Sequence, residues 1–226
     1  MRIGHRSTTR PAVRRSGLAA LALAATLAAF AAPAAAAAPA PRPQVSAGDL
    51  VYSSSGTACR VQVNARGGTT YYMVLPGHCT QGTTAWYTTA ALTTYIGPTV
   101  ATSFPGNDYG LVRYDNPAVP HPGSGFKSVG SAYVGEPVCS RSTVSGQHCG
   151  TVTALNATVN YGGGGVVSGL IATTVCTEPG DPGGVLFSGS TALGLFSGGS
   201  GNCTSGGTGY YQPLTEVLAA YGLSLY

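Results

Sequence analysis

The chain has 226 residues, 34 of them glycine, with 43% hydrophobic and 8% charged residues and a formal charge of +4 at neutral pH. The charge is unevenly placed: six of the 11 Lys and Arg (Arg2, Arg6, Arg10, Arg14, Arg15, Arg42) precede Val45 and all 7 Asp and Glu follow it, leaving five basic against seven acidic residues beyond that point. This balance excludes a basic nucleic-acid-binding surface on the main body, and the glycine content excludes a bundle of long helices.

The N-terminus reads as an export signal: arginines first, an apolar run from Leu18 to about Phe30, then alanines to Ala38. The apolar run is too short and alanine-rich for a membrane span, and no other segment competes. Residues 1–38 are therefore expected to be a signal peptide and 39–44 (PAPRPQ) a short linker, so that the body, 45–226, is secreted.

From Val45 onward, short β-rich runs alternate with Gly, Asn, Ser and Pro. Strands are expected around Arg60–Asn64, Thr69–Leu75, Gly110–Tyr114, Gly150–Leu155 and Val166–Ile171, with the four glycines 162–165 as a hairpin tip. Turn signals about every 8–12 residues predict an all-β sandwich or barrel. The one convincing helix is Pro213–Tyr221, opened by proline and stopped by Gly222. The six cysteines (Cys59, Cys79, Cys139, Cys149, Cys176, Cys203) form no CxxC pair. In an oxidising compartment they predict disulfides, not a metal site, with 15 pairings open in principle and sequential pairing the simplest.

Four segments carry candidate chemistry: Pro76-Gly77-His78-Cys79, Asn107-Asp108-Tyr109-Gly110, Gly180-Asp181-Pro182-Gly183-Gly184 and Phe196-Ser197-Gly198-Gly199. Each alone has a plain structural explanation; Asp-Pro-Gly-Gly is a strong turn sequence. In order, they place a histidine, then an aspartate, then a glycine-rich loop, the order of the chymotrypsin-like proteases. That chemistry needs a base titrating near neutrality beside a hydroxyl, a buried carboxylate to fix the base's tautomer, and glycines that let backbone N–H groups reach the oxyanion.

The whole body is similar to the streptogrisins, small secreted proteases of streptomycetes, through VYSSSGTAC, GHCT, FPGNDYGLVRY, TVTALNATVNYGGG, CTEPGDPGG, SGGSGNC and YQPLTEVLAAYG. The resemblance implies two antiparallel β-barrels of the chymotrypsin type (roughly 45–125 and 126–226), a short C-terminal helix, and disulfides Cys59–Cys79, Cys139–Cys149 and Cys176–Cys203. It implies that His78 is the general base, Asp108 its orienting carboxylate, and Gly180 an oxyanion donor. It further implies that Ser197 bonds the aspartate, that Ser197-Gly198-Gly199 binds the substrate backbone, and that Phe196 lines the specificity pocket. No cofactor or metal is implied, and the expected partner is a peptide, protein substrate or inhibitor in the cleft of a monomer.

Pro182 stands where that family has its serine nucleophile. Proline offers neither the hydroxyl nor a backbone N–H. Losing a nucleophile costs on the order of 10⁶ in turnover, about 8 kcal/mol. Further departures surround it: Val185 for the usual proline, Leu75-Pro76 for Thr-Ala, bulky Phe196, and Arg141 one position later than the arginine that normally pairs with the loop aspartate, which puts an Asp181–Arg141 pair in doubt. The family also carries a long pro-region, whereas a few residues separate Ala38 from Val45 here. The expected protein is a catalytically inactive pseudoprotease. The alternatives are an active serine endopeptidase, with Pro182 an artefact or an engineered change, and a peptide- or inhibitor-binding decoy.

Overall fold

The computed structural model describes residues 43–226; the expected signal peptide and the first part of the linker lie outside them. β1 (Leu50–Ser53), β2 (Ala58–Arg60), β3 (Val63–Gly67), β4 (Thr70–Leu75), β5 (Ala85–Tyr87), β6 (Tyr95–Ser103) and β7 (Tyr109–Arg113) form one antiparallel sheet in the order β3-β4-β7-β6-β5-β1-β2. The expected strand Arg60–Asn64 is broken at Val61-Gln62, and the break closes the barrel. Val61 N–H bonds Asp49 O on one side while Gln62 N–H bonds Val74 O on the other, so one run of chain serves both ends of the sheet.

β8 (Ser128–Val129), β9 (Pro137–Ser142), β10 (Gly146–Asn160), β11 (Val166–Thr173), β12 (Val185–Ser188), β13 (Thr191–Asn202) and β14 (Gly206–Pro213) make the second sheet. Its order is β12-β9-β10-β11-β14-β13-β8, and a β12–β13 pairing closes a ring, with β8 added parallel to β13. β10 is far longer than the expected Gly150–Leu155, and residues 162–164 form a single 3-10 turn at the tip joining it to β11. The terminal helix is α2 (Leu214–Tyr221), ended by Gly222 in the left-handed conformation. After it, β15 (Ser224–Leu225) pairs with β3, so the last residues return to the first sheet and not to the second.

Period-two alternation sorts side chains among three cores. Met73 and Leu75 of β4 and Val112 of β7 point into the first barrel with Trp86 and Ile96. Their neighbours Val74 and Leu111 face outward, against Leu195, Leu214 and Val217 of the second half. Val138, Val152, Ile171, Leu186 and Tyr211 fill the second ring. Strands buried on both faces thus weld the halves together, each fully buried Val or Leu contributing about 1.5–3 kcal/mol. Three disulfides join Cys59 to Cys79, Cys139 to Cys149 and Cys176 to Cys203. Among the described residues no helix is long and apolar enough to cross a membrane.

Candidate active site

His78 sits on α1 (Gly77–Thr80), a single turn that follows β4. Gly77 is required there: a Cβ would fall 2.6 Å from Ser103 O and 2.7 Å from Tyr109 N. The Cys59–Cys79 bridge ties the turn to β2, and the His78 side chain remains about half exposed at 48%. Asp108, just before β7, is fully buried. Its carboxylate accepts from His78 N–H at 3.0 Å, from Ser197 Oγ at 2.6 Å, and lies 3.0 Å from His78 Nδ1 through both oxygens. A carboxylate can only accept, so Nδ1 carries the proton of this contact. Asp108 N–H donates to Gln212 Oε1 at 2.9 Å, and Gln212 Nε2 donates to Glu216, which fixes the aspartate against β14 and α2.

Ser197 reaches Asp108 because β13 slips register between Phe196 and Gly198. Such a bulge re-aims one side chain without ending the ladder. Past Leu195 the edge of β13 opposite β14 has no strand partner among the described residues, which leaves Gly198 and Gly199 able to pair with an extended chain. Both positions require glycine: a Cβ on Gly198 would meet the Tyr161 ring at 2.6 Å, and one on Gly199 would meet Thr177 Oγ1 at 2.3 Å.

The loop Gly180–Gly184 borders the same space. His78, Gly180, Asp181, Pro182, Phe196 and Ser197 line a cavity of about 350 Å³. Gly180 has φ +81° and its N–H has no partner among the described residues. Asp181 N–H bonds Glu178 O, and Asp181 Oδ1 accepts from Gly183 N–H at 2.9 Å, a compact turn with Pro182 at its apex. No Asp181–Arg141 ion pair forms among the described residues. Instead Ser142 and Ser145 hydroxyls donate to Asp181. Burial opposes the charged carboxylate, but these two donors and Gly183 N–H outweigh it and hold the Asp181 pKa below its ordinary value. Phe196 is 7% exposed and its ring rests on Gly183 and edge-on against Tyr211 at 5.6 Å.

Two aromatic groups at the site escaped the sequence reading. Tyr161 OH is 3.0 Å from Ser197 Oγ, extending the chain His78–Asp108–Ser197, and burial raises its pKa despite that bond. Phe104 stands edge-on to His78 with centroids 6.0 Å apart. With Gly198 and Gly199 these two rings line a second cleft of about 420 Å³. Tyr161 lies in the segment TVTALNATVNYGGG, just before the four glycines, and nothing local marks its reach to Ser197. The arrangement sets a histidine whose Nδ1 is tied to a buried carboxylate beside a loop with an unpartnered Gly180 N–H and no hydroxyl at its apex. Ser188, at the end of β12, donates to Pro137 O at 3.0 Å.

No protein-family model matches the sequence. Serine protease 2 of Streptomyces fradiae is 49% identical over 174 residues, covering 73% of this chain and 99% of that protein. Streptogrisin-D and Streptogrisin-A of Streptomyces griseus are 46% and 44% identical, each over 81% of this chain. The chain spans only 48% and 61% of the length of those two. Among solved structures, alpha-lytic protease homolog N4 superposes with a TM-score of 0.74 at 44% identity, over 81% of this chain and 100% of that one. A glutamic acid-specific serine protease gives 0.71 at 37% identity, over 80% and 100%. With two chymotrypsin-type β-barrels, a His78–Asp108–Ser197 cluster beside a Gly-Asp-x-Gly-Gly loop, and this degree of identity, the chain belongs to the family of streptogrisin-like serine proteases.

Proposed function

We propose that this chain is a secreted pseudoprotease: it keeps the base, the orienting carboxylate and the strand that would hold a peptide, and lacks the group that attacks one. The observation that carries the reading is Pro182 at the apex of the Gly-Asp-x-Gly-Gly loop, where the family's chemistry needs a hydroxyl. His78 Nε2 then has no chain nucleophile to deprotonate, and Gly180 N–H is left as a lone oxyanion donor because proline supplies none.

What remains is suited to binding. A peptide or protein partner would add as a strand along Gly198-Gly199, with backbone hydrogen bonds giving affinity and the Phe104–Tyr161 cleft receiving a side chain. The protein would act as a monomer outside the cell, holding a peptide or an inhibitor without cutting it.

The test is a panel of fluorogenic peptides presented to the folded protein and to its Pro182→Ser variant. The unaltered protein should show turnover at least about 10⁶-fold below an ordinary protease. Pro182→Ser should raise it, though incompletely, since Phe196 and Leu75-Pro76 also depart from the family pattern. Turnover of the unaltered protein in the ordinary range of about 1–10³ s⁻¹ would defeat the proposal.

A further inference from the structure

The single residue by which Arg141 is displaced along β9 has a consequence outside the cavity at His78. Alternation on β9 buries Val138, Ser140 and Ser142 and turns Arg141 outward. The guanidinium leaves the Asp181 side and lies 6.0 Å over the Phe187 ring. It edges a cavity of about 490 Å³ lined by Val61, Phe126, Val185, Phe187 and Ser142. Gln62 is the one residue common to this cavity and the one at His78, and it is 2% exposed, so the two spaces are separate.

The chemistry of the cavity is lopsided. No Asp, Glu, Lys or His lines it, and Arg141 is its sole charge. That cation makes no ion pair among the described residues; its hydrogen bond goes to the neutral Gln147 Oε1 at 2.8 Å. Phe126 and Phe187 pack with centroids 5.8 Å apart, giving an aromatic wall beside the cation. The volume falls in the range of about 300–1,000 Å³ typical of small-molecule pockets, which pair an apolar lining with one or two fixed polar groups. We propose that this inter-barrel cavity is a second binding site, for a small anion with an aromatic body, whose acidic group pairs with Arg141 while its rings lie against Phe126, Phe187 and Val185.

Anilinonaphthalene sulfonate has that chemistry and serves as the probe, with neutral N-phenylnaphthylamine as its uncharged counterpart. The folded protein should bind the sulfonate saturably and one to one. Arg141→Gln should weaken the sulfonate by about tenfold to a hundredfold, the loss of a charge-assisted bond, while leaving the neutral dye and the melting temperature little changed. Arg141→Lys should keep part of the affinity. Backbone amide shifts on binding should cluster at Gly184, Val185 and Phe187. The proposal fails if the folded protein gives no saturable signal, if Arg141→Gln binds the sulfonate equally well, or if the shifts gather at Gly180 and Gly198. None of these outcomes depends on whether the His78 site cleaves peptides.

Discussion

At Gly183 the backbone takes φ +62°, and a Cβ there would fall 2.1 Å from Cγ of Phe196. Gly183→Ala should therefore cost about 2–5 kcal/mol, from left-handed strain together with overpacking. In a double-mutant cycle with Phe196→Val, denaturant unfolding should show a favourable coupling of about 0.5–3 kcal/mol as the clash is relieved. Additive costs would mean that the ring does not press on the loop. Asp181 gives a pH test. Its folded pKa is held below the ordinary value, so the unfolded chain binds that proton more readily. Its stabilisation is thus present above about pH 4, the unfolded Asp value, and fades as pH falls through the lower folded one. Melting temperatures of the protein and of Asp181→Asn should differ most near neutrality and converge below about pH 4. A gap that persists in acid would assign the Asp181 contribution to packing, not charge.

At the level of elements, the sequence made the β runs, the terminal helix and its Gly222 stop readable, because alternation, proline and glycine act locally. Thr70–Leu75, Tyr109–Arg113 and Val166–Thr173 fall within a residue or two of expectation. The break at Val61-Gln62 and the length of β10 were not readable, since both are set by which strands lie alongside. The same holds for the site. His78, Asp108 and the Gly-Asp loop stand out as motifs, whereas Gln212 reaches Asp108 across 104 positions of sequence and Tyr161 has no local mark. The disulfides add a test at this scale. Cys176–Cys203 spans 27 positions and Cys139–Cys149 spans 10. Loop-closure entropy makes the longer bridge worth about 1 kcal/mol more, so Cys176→Ala/Cys203→Ala should melt below Cys139→Ala/Cys149→Ala. The reverse order would show that native-state contacts, not chain entropy, set their value.

Across the whole molecule, the return of β15 to β3 makes the two barrels interdependent. Leu225 packs with the inter-barrel core, and Tyr226 OH donates to His121 O at 2.8 Å while burial pushes its pKa up to about 12. Deleting residues 224–226 should destabilise the protein by about 2–4 kcal/mol in denaturant titrations, despite removing only a chain end. A change below about 0.5 kcal/mol would mean that the barrels stand without this clasp. The same architecture holds the His78–Asp108–Ser197 cluster together, so the deficit proposed centres on position 182, which supplies neither a hydroxyl nor a backbone N–H. The direct measurement is to treat the folded, three-disulfide protein with a fluorophosphonate and record its intact mass while following peptide hydrolysis. The mass should stay unchanged, with no turnover. A stoichiometric phosphonyl adduct accompanied by hydrolysis would contradict the pseudoprotease proposal and restore an active serine endopeptidase.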